Sequence, residues 1–423
     1  MFPTTVTLKN YRSFATPARL ELRPVTLLFG ENNVGKSALL RVLPILGDST
    51  GPAASGPLEL ESPAARGSSF QEILWKGIQE DDERDLLLSL DWGASPSSKS
   101  VDFALTWFDD WRRLVIRRFS IRDGEGNRLA AEWRPSPQER SSTELTYEIR
   151  ASAASAPSPA RLGFQGLVPR SWPPHLDRTL KPAAERLAAM HNQVQWLMAT
   201  RQLPDRIQPF PTAPRWRMKN DGSDTPQVLS GSQDLLGEVS SWYEKHLRRR
   251  LHIQEVPPDR FRLMLQNLER AALDTDLADN GEGTIQVLPV LTALALARRQ
   301  SQGGPGLLAI EEPESHLHPT LQRALAEHIC DVAAGNPSTR IVLETHSEHL
   351  LLGLQLQILQ GRLRPEDVMV YWVRQTEGGQ SIADAVTFDD KARLQGAWPP
   401  GVFSSDTDLA REILTARRER SGP

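Results

Sequence analysis

Apolar positions along this chain change their period several times, and each change marks an element. Thr5, Val6, Thr7, Leu8 and Lys9 alternate, as do Arg19, Leu20, Glu21 and Leu22, which predicts two half-buried strands. Val25, Thr26, Leu27, Leu28 and Phe29 then form a continuous apolar run, and Ala38, Leu39, Leu40, Val42 and Leu43 resume as a helix after a polar gap. Segments rich in β-branched and aromatic residues at 86–92, 101–107, 114–121 and 128–133 predict an antiparallel meander, with Asp123, Gly124, Glu125 and Gly126 as a hairpin turn. Helical spacing is read over 182–201, through Leu187, Met190, Val194, Leu197 and Met198, and again over 233–251, 260–273 and 287–299. Two further apolar runs, 306–310 and 340–344, predict buried strands, the second opening into a helix at Glu348.

Between these elements, 47–67 turns into Gly, Pro, Ser and Ala and is expected to be a surface loop; 151–159 is low in complexity and 204–214 is rich in proline. No internal repeat is present, and no heptad pattern is long enough for an extended coiled coil. With 423 residues and 39% hydrophobic content, two lobes built by insertion or in tandem are expected. The longest apolar runs, such as 287–297, are too short or interrupted to span a bilayer, and Met1, Phe2 and Pro3 lead straight into a strand, so the expected location is the cytoplasm, with no membrane partner. A single cysteine, Cys330, excludes an intramolecular disulfide and a thiolate zinc cage; its apolar setting predicts a buried residue on a helix. The formal charge of −4 gives no global field for nucleic acid; the clusters Arg248, Arg249, Arg250 and Arg417, Arg418 could still touch phosphates, but such clusters more often read as solvated faces.

The polar gap after Phe29 carries the first chemistry. Gly30, Glu31, Asn32, Asn33, Val34, Gly35, Lys36 and Ser37 match G-x-x-x-x-G-K-[ST] between a strand and a helix, the context a phosphate loop requires. Its two glycines let backbone N–H groups turn inward around phosphates, and the helix that continues through Ala38 aims its positive end there. Lys36 is expected to bridge the β- and γ-phosphates, and Ser37 to complete the coordination of Mg²⁺. Downstream, the run at 306–310 ends in Glu311, Glu312, Pro313 and Glu314, a Walker B site in which Glu311 should hold Mg²⁺ and Glu312 should polarise the attacking water. The run at 340–344 delivers Thr345, His346 and Ser347, which puts His346 where a γ-phosphate sensor would stand. His316 and His318 form a His-x-His pair, but two imidazoles without a third ligand fall short of a zinc site.

Together, the phosphate loop, Ile310 through Pro319, and Glu344 through Ser347 resemble the AAA-annotated, ABC-type ATPases of the SMC/RecF/OLD-like group, without a TOPRIM domain, since only about seventy residues follow Ser347. Asn10, Tyr11, Arg12, Ser13 and Phe14 are similar to the group's N-[FY]-R-S-F opening, a resemblance that makes Arg12 a candidate nucleotide or DNA-phosphate contact. Asp279 to Pro289 resembles its degenerate signature segment, and Trp398, Pro399, Pro400, Gly401, Val402 and Phe403 its W-P-x-G-F-F close. The resemblance implies ATP sandwiched in a homodimer, with Gly281 and Gly283 of one subunit capping phosphates bound by the other. It also implies a D-loop at Ser315 to His318 and a Q-loop residue, Gln71, that reaches the metal. DNA and a separately encoded effector protein are the further partners it suggests, in antiphage defence or DNA repair.

The expected fold class is therefore α/β, an ABC-type P-loop NTPase head with a mixed central sheet, an antiparallel subsheet and an inserted helical lobe. Residues 1–50 and 275–400 form the discontinuous head, 51–150 the antiparallel subsheet and loops, 151–274 a helical lid or insertion, and 401–423 a C-terminal tail. A GTPase is the first rival, because Met218, Lys219, Asn220 and Asp221 approach the N-K-x-D guanine clamp. Methionine has no carboxamide to offer there, so ATP is the better nucleotide. Two other readings stand beside an ATPase: an ATP-gated scaffold or DNA-binding regulator with little turnover, and the ATPase subunit of a nuclease complex.

Overall fold

Alternation and apolar runs translate into strands over most of the N-terminal half. The computed structural model describes residues 2–77, 84–93, 100–123, 126–151, 156–270, 272–336 and 338–399. Strands β1 (Thr5–Lys9) and β2 (Ala18–Glu21) pair antiparallel, and β3 (Val25–Gly30), buried at every position, feeds helix α1 (Lys36–Ser49). A single-turn helix α2 (Phe70–Ile73) follows, held by a capping box between Ser69 and Glu72. The meander then runs through β4 (Leu86–Asp91), β5 (Ser100–Phe108), β6 (Arg113–Asp123) and β7 (Gly126–Trp133). It continues into β8 (Glu144–Arg150), β9 (Ser158–Gln165) and β10 (Val168–Ser171). Among the described residues these strands form one nine-stranded antiparallel sheet, ordered β10-β9-β8-β7-β6-β5-β4-β1-β2.

The chain next builds α3 (Asp177–Ala188), β11 (Val194–Leu197), β12 (Gln208–Pro209), α4 (Thr225–Ser230), α5 (Gln233–Leu247), β13 (Arg249–Val256), β14 (Arg260–Asn267) and β15 (Asp274–Asp276). Helix α6 (Glu282–Ala297), β16 (Leu307–Glu311), α7 (Pro319–Gly335), β17 (Arg340–Glu344), α8 (Glu348–Leu359), β18 (Val368–Gln375), β19 (Ser381–Phe388) and β20 (Leu394–Gly396) complete it. The central sheet is mixed. Its order is β11-β16-β17-β3-β18-β19-β20, parallel from β11 to β18 and antiparallel beyond.

Side chains alternate across this sheet between two cores. Leu28, Leu307, Ala309 and Val342 face α1, α3 and the antiparallel sheet. Leu27, Leu308, Ile310 and Leu343 face α5 to α8. Helix α6 is apolar around its whole circumference, and every residue from Val287 to Ala297 is buried. Such a helix belongs inside a layered core.

Four sequence expectations are corrected. The segment 260–273, read as a helix, is strand β14, because Phe261, Leu263 and Leu265 enter the core at every second residue while Arg260 lies exposed. The helix read over 182–201 stops at Ala188; the chain turns at Asn192, whose φ is 63°, and Val194–Leu197 pairs in parallel with β16. Residues 151–274 thus carry strands β9 to β15 as well as helices, and the antiparallel sheet reaches Ser171. The Gly- and Ser-rich stretch 47–67 is a surface loop only in part: Pro52, Ala53, Arg66 and Gly67 are exposed, but Leu58, Glu59, Ala64 and Ala65 are buried. The hairpin residues Gly124 and Glu125, Pro400 to Phe403, Arg417, Arg418 and the tail 401–423 lie outside the described residues.

Candidate functional site

Three strand ends meet at one edge of the central sheet. Glu311 on β16 is in register with Glu344 on β17, and Glu344 with Leu28 on β3, two residues before the phosphate loop. The carboxyl ends of parallel strands are where open α/β sheets bind ligands. The loop itself needs both glycines. Gly30 has φ 147° and its missing Cβ leaves room for the Val373 carbonyl; Gly35 has φ 100°, and a Cβ there would lie 2.7 Å from the Ser13 hydroxyl and against the Phe14 ring. Asn33 also takes the left-handed region, at φ 64°.

Lys36 is buried and donates to the carbonyls of Gly30 at 3.0 Å and Glu31 at 2.5 Å, so its ammonium is folded back over the loop. Burial holds its pKa below the usual lysine value, against the charges of Glu344, Glu312 and Glu31. His346 follows β17, its backbone N–H donating to Glu314 at 2.9 Å. Burial first, and then the Lys36 charge, hold its imidazole below the usual histidine value, while Glu312 acts the other way. The charges of Lys36 and Glu312 thus both reach His346, although the three residues come from remote segments.

Ser37 donates its hydroxyl to Glu344 Oε1 at 2.7 Å. Glu311 is engaged differently. Arg41, one turn further along α1, donates Nε to its Oε1 at 2.6 Å and Nη2 to its Oε2 at 2.7 Å, and the Trp196 indole adds a bond of 3.0 Å. Glu312 stands at a backbone φ of 41°, strained for a residue with a side chain. Its N–H donates to the Glu344 carbonyl at 2.8 Å, its carboxylate accepts from Ser315 Oγ at 2.9 Å, and the buried Arg201 donates to the carbonyls of Glu311 at 2.6 Å and Glu312 at 3.0 Å. Desolvation lowers the Arg201 pKa to about 10, although Glu314, Glu312 and Glu311 all favour its charge. Glu314 accepts from Thr345 Oγ1 at 2.7 Å, and burial lifts its carboxyl above the usual range.

The remaining expected residues surround this centre. Arg12, at φ 53°, donates to Ser68 Oγ at 2.8 Å and to the carbonyls of Ala65 and Glu72 at 3.4 Å, tying the turn beside Gly35 to the segment that carries Gln71. Gln71 lies exposed on α2. Gly281 caps α6 with open space around it, whereas the missing Cβ of Gly283 admits the carbonyl of His316, and His316 Nδ1 lies 3.2 Å from Glu282. Trp398 packs edge-on to Phe29, with ring centroids 5.8 Å apart, which seats the start of the W-P close behind the phosphate-loop strand. Among the described residues no group of three or more His, Cys, Asp or Glu side chains could hold a metal ion alone, and no helix is long and apolar enough to cross a membrane. A metal that relies on a hydroxyl, one or two carboxylates and substrate phosphates does not need such a cage.

Sequence reading passed over Arg41, Trp196, Arg201 and the side chain of Glu344. Arg41 left a signal, as a lone cation inside an apolar helix. Trp196 and Arg201 left none, because the segment that carries them was read as a helix.

A family model described as "AAA domain, putative AbiEii toxin, Type IV TA system" matches residues 25–352. Among solved structures, the SMC head domain from Thermotoga maritima is 12% identical and aligns over 92% of this chain and 100% of its own, with a TM-score of 0.46. An Smc head bound to the C-winged helix domain of ScpA is 8% identical over 92% of this chain and 98% of its own, with a TM-score of 0.51. An Smc head with an extended coiled coil, bound to the C-terminal domain of ScpA derived from Pyrococcus furiosus, is 8% identical over 97% and 99%, with a TM-score of 0.47. No curated protein matches. The second of these structures shows the shared fold, an α/β P-loop NTPase-like head of the kind seen in that Smc head. With its family model spanning most of its length, from β3 into α8, the chain belongs to the AAA-domain family described as putative AbiEii toxin.

Proposed function

We propose that this protein binds and hydrolyses ATP with Mg²⁺ and switches by nucleotide-dependent pairing of two copies. The observation that carries the reading is the convergence of three strand ends beside the phosphate loop, where Glu311 is in register with Glu344, Glu344 with Leu28, and the Ser37 hydroxyl is bonded to Glu344. The residue types of Lys36, Glu312 and His346 fit the three tasks of phosphoryl transfer: a cation for the β- and γ-phosphates, a carboxylate to orient and deprotonate water, and an imidazole to hydrogen-bond the terminal phosphate. Residues Gly30 to Ala38 cradle the phosphates with backbone N–H groups. Bound Mg²⁺ supplies neutralisation of the phosphate charge, and Ser37 with a neighbouring carboxylate is the donor set available to it. Arg201 keeps the Glu312 turn in its strained form, which fixes where that carboxylate points.

Gly281 and Gly283 open α6 beside the Ser315 to His318 turn, so the two segments the resemblance assigns to a dimer face are neighbours here. In this reading Gly281 to Gly283 of one copy close over the nucleotide of the other. The role is bacterial antiphage defence or DNA repair with a separately encoded effector, and the family whose model matches is described as a putative toxin of a Type IV TA system.

The test is ATP turnover and sedimentation of wild type and Glu312→Gln. Steady phosphate release by wild type, its loss in the variant by about a hundredfold or more, and ATP-induced dimers that persist in the variant are expected. A wild type that dimerises with ATP but releases no phosphate replaces the ATPase with an ATP-gated scaffold.

A further inference from the structure

Two carboxylates flank the phosphate loop from adjacent strands, and their surroundings differ. Both oxygens of Glu311 are already engaged: Oε1 by Arg41 at 2.6 Å and Trp196 at 3.0 Å, Oε2 by Arg41 at 2.7 Å and the Ala199 N–H at 3.4 Å. The ion pair is bidentate, and the Glu311 side chain is only 2% exposed. Freeing it for a metal means leaving a guanidinium without its carboxylate in a place water scarcely reaches, a costly exchange.

Glu344 is the opposite case. It is 5% exposed, its Oε1 accepts from Ser37 at 2.7 Å, and its Oε2 is buried without any hydrogen-bond partner. A buried carboxylate oxygen with nothing to accept from is expensive, and an unfilled ligand position is one of the few reasons such an atom persists. The hydroxyl beside it belongs to the phosphate-loop serine, whose residue type and position are those of a Mg²⁺ ligand. A hard cation takes oxygen donors and keeps several waters, which a hydroxyl and one carboxylate at a nucleotide site satisfy.

We propose that Glu344, at the end of β17, is the carboxylate that holds Mg²⁺ together with Ser37, directly or through a coordinated water. Glu311, the first Walker B carboxylate, instead serves as a clamp that ties α1 to β16 through Arg41. This assignment rests on the MgATP reading above and concerns only which carboxylate serves the metal.

The experiment is calorimetric titration of the full chain with ATP in Mg²⁺ and in EDTA, for wild type, Glu344→Gln and Glu311→Gln, with electron paramagnetic resonance of Mn²⁺ bound alongside ATP as a second readout. For Glu344→Gln, affinity in Mg²⁺ falls at least about tenfold and the bound Mn²⁺ signal is lost. Its affinity in EDTA stays level or tightens, because one negative charge beside the phosphates is gone. A merely structural role would weaken both. Glu311→Gln keeps the gain in affinity from Mg²⁺ and lowers the thermal midpoint. Full retention of that gain and of the Mn²⁺ signal in Glu344→Gln overturns the assignment, whether or not Glu311→Gln folds. A wild type that binds no ATP in either buffer overturns the MgATP reading itself and this assignment with it.

Discussion

Arg201 shows how a single side chain can set the geometry of a site it does not enter. Its guanidinium is buried and bonds two successive carbonyls, those of Glu311 and Glu312, behind the turn that points the second carboxylate. The φ of 41° at Glu312 is tolerated because this donor and the Glu344 carbonyl hold the turn from both sides. Replacing Arg201 with Gln removes a charge whose field reaches Glu314, Glu312 and Glu311 and leaves carbonyls short of a donor. We expect a loss of about 3 kcal/mol in urea unfolding. If the proposed ATPase reading holds, ATP turnover should fall far more than ATP affinity, because Arg201 bonds the Glu312 turn rather than the phosphate loop. An unchanged unfolding midpoint would show that the turn holds itself.

At the scale of elements, helix α7 carries a titration that ties stability to pH. His328 lies on α7, and burial brings its pKa down from 6.5 to about 4, helped by the charges of Arg298, His246 and Lys245 and opposed by Glu327. The folded protein therefore binds fewer protons than the unfolded chain between those two values. The stability contributed by the neutral ring is present above pH 6.5 and lost as pH falls through about 4. Thermal unfolding at pH 7 and near pH 4.5 is expected to show a drop in midpoint that His328→Gln makes smaller. An equal drop in the variant would put the acid sensitivity elsewhere. Elements also explain where periodicity misled: β14 inserts Phe261, Leu263 and Leu265 at every second residue, yet Met264 is buried as well, and a run apolar on both faces reads as helix or strand equally well.

For the molecule as a whole, the prediction concerns pairing. Gly281 has φ −63° and ψ 147°, ordinary values for any residue, and a Cβ there meets no atom within 4 Å. Gly281→Glu should therefore leave the isolated fold within about 0.5 kcal/mol of wild type. If α6 opens onto the nucleotide of a second copy, the added carboxylate opposes the phosphates, and the ATP-induced dimer of a Glu312→Gln background disappears in sedimentation. A dimer that survives would place the interface on another face.

What the sequence determined by itself was whatever chemistry writes in contiguous residues. The phosphate loop needs glycines, a lysine and a serine at fixed spacing, and a doubly covered strand needs an unbroken apolar run, so Gly30 to Ser37, β3, β16 and β17 were all legible, as was the alternating meander. Only the tertiary structure decided how remote groups are shared out. Glu311 and Glu344 look alike in a list of residues; cross-strand register sets them side by side, and the approach of α1 and of the loop after β11 gives Arg41, Trp196 and the Ala199 N–H to one of them and Ser37 to the other. Which carboxylate is left with an unbonded oxygen depends on what packs against it, and packing partners far along the chain leave no local mark.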